Sequence, residues 1–376
     1  MQLPPSLSLI MILGAAQGFF LAAVLFTRHA NSLSNRILAV TMVGFSLFIL
    51  SGAYYARGWY QAFPHGIGVS EPLLYTFGPL PYLYALTLSR GDTRFRKLWL
   101  LHFIPFALVA LYMVPFLLRS GAYKIDLLEK LLAGEVPLDI RVIQALKYPH
   151  GFAYTFLSLL LIHRHGVRLK EDRSSVDRIN LRWLRNLMLG GLVIWILSIV
   201  GEFAALLLAL FIYTMGYLGL RQPEIFHPQP VAPDGSRSPS SPAPEAEPAR
   251  YRKSGLDPKA AEAHLEKLLG FMETEKPYVQ SELTLQELAA MLEIRPHNLS
   301  EVINTRLGKS FYDFVNGYRV EEVKRRLADP DTANLTILSI ALDAGFSSKS
   351  TFNEIFKKHV GTPPSAYRKQ AQARQA

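Results

Sequence analysis

Long apolar runs recur along the first 220 residues of the chain, and few polar positions interrupt them. Several runs reach the about 20 residues that a helix needs to cross roughly 30 Å of hydrocarbon. We therefore predict a polytopic bundle of seven transmembrane helices in this part of the chain. The predicted spans are residues 7–26, 37–55, 72–89, 99–118, 148–163, 184–200 and 203–220.

The pattern changes after residue 257, where apolar positions recur at helical spacing on one face of each segment. Thr284 and Glu287 have the spacing of a capping box, which predicts the start of a short helix. A turn is predicted at residues 293–295. A second helix follows, and Leu299 and Ile303 lie on its inward face. This arrangement is typical of a helix-turn-helix unit.

The same arrangement recurs about 50 residues later. Leu335-Thr336-Ile337 repeats Leu283-Thr284-Leu285 after 52 residues, and Gly345 stands where the second turn is predicted. A longer helix over residues 311–327 joins the two copies. We therefore predict a soluble all-helical domain with two helix-turn-helix units, so that the whole chain belongs to the all-α class.

The outward faces of the two second helices carry amides, hydroxyls and charged groups. A helix-turn-helix places the N-terminal part of its second helix in the DNA major groove, where such groups reach base edges. A solvated helix surface would explain either face alone, but two copies favour DNA binding. The predicted DNA-contacting residues are His297, Asn298, Ser300, Glu301, Asn304, Ser348, Lys349, Ser350, Asn353, Lys357 and Lys358.

The net charge of +10 is not itself a sign of DNA binding, because most of it lies in the apolar half. Residues 251–376 hold 18 Lys/Arg and 16 Asp/Glu, whereas residues 1–250 hold 22 and 14. Thirteen Lys/Arg follow the first, third and fifth apolar runs, against six in the other loops. Cytoplasmic loops are rich in Lys and Arg. The charges therefore predict an external N-terminus and a cytoplasmic C-terminus, with a tight external turn at Gly201-Glu202.

Composition narrows the remaining functions. The chain has no cysteine, which excludes disulfides, thiol nucleophiles and Cys-ligated zinc. Neither paired carboxylates nor a nucleophile motif occurs within the predicted spans, so no catalytic residue, metal site or cofactor is predicted. Residues 221–250 contain eight prolines among Ser and Ala, which is typical of an extended linker. The predicted division is a membrane domain at 1–220, this linker at 221–250, and a DNA-binding domain at 251–376.

The repeated region closely resembles the DNA-binding domain of the AraC/XylS family. The resemblance is carried by "LTLQELA", "LSEVIN", "GKSFYDFVNGYRVEEVKRRL" and "IALDAGFSSKSTFNEIFKKHVGTPPSAYR". It covers about residues 261–369, and the apolar half with "GLRQPEIF" is similar to membrane-bound members of that family. The resemblance implies two helix-turn-helix units and transcription regulation. Many relatives carry a basic residue where Glu301 and Glu354 stand. A glutamate can accept a hydrogen bond from the amino group of cytosine or form an ion pair within its helix, and for Glu354 we favour a pair with Lys357 or Lys358.

These observations predict a multi-pass protein of the bacterial cytoplasmic membrane that regulates transcription, with its DNA-binding domain in the cytoplasm. Its expected partners are double-stranded DNA and membrane lipid, and the candidates are RNA polymerase, an unidentified signal ligand and a second copy of the chain. One alternative is a membrane transporter or enzyme with an appended autoregulatory DNA-binding module. Another is a regulator whose soluble domain is released by proteolysis in the linker.

Overall fold

The computed structural model describes residues 5–27, 32–91, 94–176, 181–200 and 257–373, together with Leu207 and Phe211. These residues form α-helices joined by 3₁₀ turns, and no strand occurs among them. The chain divides into two compact units. The first unit contains residues 1–164 and 181–234, and the second contains residues 165–180 and 235–376.

The first unit is built from seven described helices, the sixth of which continues into the second unit. They are α1 (Pro5–Thr27), α2 (Ser32–Ala56), α3 (Pro79–Arg90), α4 (Ile104–Leu117), α5 (Gly121–Leu132), α6 (Leu138–Asp172) and α7 (Arg182–Val200). Four stretches of the described residues are long and apolar enough to cross a membrane. They are Leu7–Thr27, Leu33–Ala56, Lys97–Leu117 and Arg182–Ile199.

Those four stretches overlap the first, second, fourth and sixth predicted spans, but the third prediction differs from the structure. Residues 72–89 are divided between a 3₁₀ helix, Glu71–Thr76, and α3. With 12 residues, α3 is only about 18 Å long at 1.5 Å per residue, shorter than the hydrocarbon layer. Gly78 and Pro79 interrupt the apolar run here, because proline at the first helical position starts a new helix.

The fifth predicted span, residues 148–163, lies inside the 35-residue helix α6. The seventh, residues 203–220, lies outside the described residues except for Leu207 and Phe211. The predicted turn at Gly201-Glu202 and the linker at 221–250 also lie outside them. The number of seven crossings therefore stays a prediction, while the described helices contain four stretches suited to a membrane.

Helices α1 and α2 pack closely through small residues. A Cβ atom added at Gly18 of α1 would lie 2.1 Å from the Ser46 hydroxyl of α2, so a larger residue there would require the Ser46 side chain to rotate away. The outer faces of the first unit keep large apolar side chains exposed, for example Phe20 at 66%, Leu111 at 69% and Phe156 at 66%. Exposed apolar surface of this extent is typical of a protein that is covered by lipid or by partners.

The second unit consists of short helices around two cores. These helices are α8 (Pro258–Thr274), α9 (Leu285–Met291), α10 (Pro296–Arg306), α11 (Phe311–Ala328), α12 (Ile337–Asp343), α13 (Lys349–Val360) and α14 (Pro364–Ala373). One core lies among α8, α9, α10 and the first half of α11, and includes Leu288 and Leu299. The other lies among the rest of α11, α12 and α13, and includes Ile340 and Phe356. Helix α11 contributes to both cores.

Candidate nucleic-acid interface

The first helix-turn-helix unit consists of α9 and α10. The Thr284 hydroxyl accepts a hydrogen bond from the Glu287 amide at 3.2 Å, and the Glu287 carboxylate accepts one from the Thr284 amide at 2.8 Å. This is the predicted capping box. Glu293 makes the turn in the left-handed region, at φ 54°, and α10 begins at Pro296, the position that proline favours.

The second helix-turn-helix unit, which consists of α12 and α13, repeats this construction. Thr336 caps α12 by accepting a hydrogen bond from the Ser339 amide at 3.0 Å. Gly345 makes the turn at φ 97°, and it lies 52 residues after Glu293. Ser348 then caps α13 through the Thr351 amide at 3.2 Å. The two pairs of helices therefore share a threonine-capped first helix and a left-handed turn residue, with the turn residues 52 positions apart.

The predicted contact residues of α10 lie along one side of the helix. His297 is exposed, whereas Asn298, Ser300, Glu301 and Asn304 are half-buried. The Asn304 amide lies 3.4 Å from the Ser300 hydroxyl, to which it donates. The face available on α10 is therefore short, polar and partly organised by its own hydrogen bonds.

The contact residues predicted on α13 are more exposed. Lys349, Ser350, Asn353 and Lys357 all face solvent. Ser348 is half-buried, and besides capping the helix its hydroxyl lies 3.1 Å from that of Ser350. The structure therefore gives Ser348 a local structural role in addition to its predicted one.

Lys358 is exposed as predicted, but its ammonium group is already paired. It lies 3.0 Å from the Asp313 carboxylate of α11. Burial raises the pKa of Asp313, but hydrogen bonds from Lys358 and Ser310 outweigh this, so that the pKa lies below its ordinary value. The structure thus pairs Lys358 with α11, and the expected pairing of Glu354 with Lys357 or Lys358 stays a prediction.

The basic residues of α11 serve structure rather than an open cationic face. Three form ion pairs: Lys324 with Glu321 at 2.8 Å, Arg325 with Glu322 at 2.7 Å, and Arg326 with Asp343 at 3.1 Å. The hydrogen bond from Arg325 is the largest effect that lowers the pKa of Glu322. Cations paired in this way are less available to phosphate than the exposed Lys349 and Lys357 of α13.

Arg319 is a buried structural residue whose role the sequence pattern did not indicate. It is 1% exposed, and its guanidinium donates to the Tyr278 carbonyl at 2.7 Å and to the Gln280 carbonyl at 2.6 Å. Burial lowers its pKa to about 10, so that it stays charged at neutral pH. The available signal was its position one turn from Val315 and Val323, on the inward face of α11. The residue ties α11 to the segment that precedes α9.

Comparison with known proteins identifies this part of the chain. Residues 288–370 match the model of a family described as a helix-turn-helix domain. The uncharacterized HTH-type transcriptional regulator YtdP of Bacillus subtilis is 36% identical over 91 residues, which is 24% of this chain and 11% of that protein. The melibiose operon regulatory protein of Escherichia coli is 31% identical over 114 residues, 30% of this chain and 36% of that protein.

A third relative, the uncharacterized HTH-type transcriptional regulator YobQ of Bacillus subtilis, is 36% identical over 86 residues, 23% of this chain and 34% of that protein. The chain therefore spans between a tenth and about a third of the length of these relatives. The matches support DNA-binding transcription regulation by the second unit and the resemblance to AraC/XylS regulators.

Proposed function

We propose that the chain is a membrane-anchored, sequence-specific DNA-binding transcription regulator of the AraC/XylS type. Its first unit anchors the chain in the bacterial cytoplasmic membrane and senses a signal there. The observation that carries the proposal is the pair of capped helix-turn-helix units on α11, because the second helix of each presents a polar face to solvent. A single such face is common on proteins, whereas a duplicated one is typical of a DNA-binding domain.

The two second helices enter successive major grooves on one side of the DNA. Helix α11 has 18 residues and is about 27 Å long at 1.5 Å per residue. That length is of the order needed to separate two helices by one turn of DNA, about 34 Å. An elongated two-groove site is therefore the expected target.

The exposed residues divide into those that read bases and those that bind phosphate. On α10, His297, Asn298 and Ser300 lie in the first turns, from which side chains reach base edges. On α13, Lys349 and Asn353 occupy the corresponding places. Lys357 is one to two turns further along, where phosphate contact is the more natural role. Candidate contacts of lower rank are Ser350, Asn304, Glu301, Ser348 and Lys358.

The described helices support membrane anchoring by composition and by charge. Four stretches have the length and hydropathy of a span. The loop predicted to be the most basic cytoplasmic one follows residue 163, and residues 165–180 belong to the same compact unit as the DNA-binding domain. A cytoplasmic position for both is what the distribution of Lys and Arg predicts.

A cavity in the first unit supports the sensing role. Its volume is about 480 Å³, and its walls include Phe45, Phe77, Tyr84 and Trp195. Ligand sites commonly have volumes of about 300–1,000 Å³ with mostly apolar walls. Lys147 is a charged group in the lining. The signal proposed for this cavity is a small apolar molecule with an anionic end.

The proposal is tested with the full chain in lipid nanodiscs. Duplex DNA is enriched from a random library, and the affinity for the enriched sequence is compared with that for a scrambled sequence. Specific regulators prefer their site by about 10³-fold or more. We expect strong enrichment that is lost in the double variant Asn298→Ala/Lys349→Ala. Equal affinity for enriched and scrambled DNA would contradict the proposal.

A further inference from the structure

Residues 165–176, here called the docked segment, pack against the DNA-binding domain although the sequence places them between two predicted spans. They form the last turns of α6 and a short extended stretch after it. Arg173 forms an isolated antiparallel bridge with Thr284. The Ser174 amide and hydroxyl both donate to the Leu283 carbonyl, at 3.0 and 2.7 Å. The segment therefore binds immediately before α9.

The centre of α11 holds the same serine from the other side. Arg319 donates to the Ser174 carbonyl at 3.2 Å and to its hydroxyl at 3.1 Å. The Asn316 amide donates to the Ser174 carbonyl at 3.0 Å. Ser174, Asn316 and Arg319 are each 1% exposed. Buried polar groups of this kind are costly to leave without partners, so these hydrogen bonds favour the docked position of the segment.

The segment also contacts the second helix-turn-helix unit. Val176 is 6% exposed and belongs to the apolar core with Ile340 and Phe346. The Ser175 hydroxyl lies 2.8 Å from that of Ser347, the residue before the cap of α13. One short stretch of chain thus binds the start of α9, the middle of α11 and the start of α13.

The position of the docked segment leaves the polar faces of α10 and α13 open. His297, Lys349, Asn353 and Lys357 are all exposed while the segment is in place. The contacts therefore fix the two helix-turn-helix units relative to each other while these four residues stay open to solvent. A fixed pair binds two grooves more tightly than a loose pair, because less ordering is needed on binding.

We propose that the docked segment is an intramolecular clamp that holds the DNA-binding domain in its binding-competent arrangement. This inference rests on the proposed function, since it assumes that the domain binds DNA. Helix α6 joins the segment covalently to the first unit, because the part of this helix up to residue 164 belongs to that unit. A signal that shifts or rotates α6 releases the clamp and weakens DNA binding.

A matched pair of substitutions in the full chain tests the clamp. Val176→Asp places a charge in an apolar core and expels the segment. Val167→Asp makes the same change at a valine that is 46% exposed on α6. With the DNA enriched by the wild-type chain in nanodiscs, we expect Val176→Asp to weaken binding about tenfold relative to Val167→Asp, which is 1.4 kcal/mol.

A disulfide provides a second, independent readout, because the chain has no cysteine of its own. Ser175→Cys with Ser347→Cys should form an intramolecular disulfide in membranes, while each single variant should not. In the Val176→Asp background the oxidised pair should restore affinity to within about threefold of wild type, by the effective-concentration argument for linked groups. Rescue by oxidation and its loss on reduction also distinguish release of the clamp from unfolding of the domain.

Two results would overturn the inference. One is failure of the cysteine pair to crosslink in the otherwise wild-type chain, which would show that the segment does not dock. The other is equal DNA affinity of Val176→Asp and Val167→Asp, which would show that docking is irrelevant to binding. If the wild-type chain itself enriches no DNA sequence, the proposed function fails instead, and the crosslink still reports whether the segment docks.

Discussion

Gly345 combines a left-handed backbone with close packing at its Cβ position, whereas Gly361 has only the left-handed backbone. It makes the turn between α12 and α13 at φ 97°. A Cβ atom added there would lie 2.3 Å from the Tyr278 carbonyl oxygen and 2.9 Å from that of Val279. Both neighbours are backbone atoms, so neither can move away as a flexible side chain would. Gly345→Ala therefore tests how closely the turn between α12 and α13 packs on the backbone of Tyr278 and Val279.

The loss of stability expected for Gly345→Ala follows from a comparison with other glycines of the domain. An alanine in the left-handed region costs about 1–2 kcal/mol, and crowding in a packed interior costs about 1–3 kcal/mol more. Gly345→Ala should therefore cost about 2–5 kcal/mol in total. Gly361 has φ 80° with nothing near its Cβ position, so Gly361→Ala should cost only the first amount. Gly317 lies within α11 without either constraint, and Gly317→Ala should stabilise by about 0.5–1 kcal/mol.

Hydrogen exchange measured by mass spectrometry on the full chain in nanodiscs gives these free energies locally. The exchange protection of peptides covering residues 337–360 should be lowest in Gly345→Ala and should increase through Gly361→Ala and the wild type to Gly317→Ala. A difference of 2.7 kcal/mol corresponds to about a hundredfold change in the opening constant. The reasoning would be refuted if Gly345→Ala cost no more than Gly361→Ala, because the backbone contact would then be absent.

Three further outcomes are expected. Lys349→Ala should reduce the preference for enriched over scrambled DNA. Lys357→Ala should instead weaken binding to both DNAs equally and lower the salt dependence of the affinity by about one phosphate contact. If the two variants had the same effect on the two DNAs, the division into base and phosphate contacts would be contradicted. Because the pKa of Asp313 lies below its ordinary value of 3.8, its carboxylate stabilises this region at pH values above 3.8. The exchange protection of residues 310–316 should therefore fall as the pH drops below 3.8, and Asp313→Asn should make the protection less dependent on pH. Arg319→Met leaves buried carbonyls without a donor and should destabilise the domain by about 1–3 kcal/mol, measured by exchange; a smaller cost than that of Lys324→Met would contradict this.

Local signals made the helix-turn-helix units predictable from the sequence. Helix caps and turn glycines interact with residues three or four positions away, so Thr284, Thr336 and Gly345 predict the local structure directly. The duplication then added a second observation for each feature. The same reasoning was weaker in the apolar half, where hydropathy dominates and a Gly-Pro break such as Gly78-Pro79 does not change the average of a window.

Contacts between distant parts of the chain could not be predicted in this way. Ser174 and Leu283 are 109 residues apart, and nothing near Ser174 in the sequence indicates its partner. Arg319 looked like one basic residue among several on α11, because its burial depends on the carbonyls that two other segments bring to it. Ion pairs such as Lys358 with Asp313 likewise depend on how α13 lies against α11.

The central claim is that one intact chain is anchored in the membrane and bound to specific DNA. Cells that express the full chain are crosslinked, their membranes are isolated, and the DNA attached to the chain is sequenced. The account predicts discrete enriched sites with the full-length chain in the membrane fraction, and loss of those sites in the Asn298→Ala/Lys349→Ala variant. Recovery of the sites only with a soluble fragment, or no enriched sites in the membrane fraction, would contradict it.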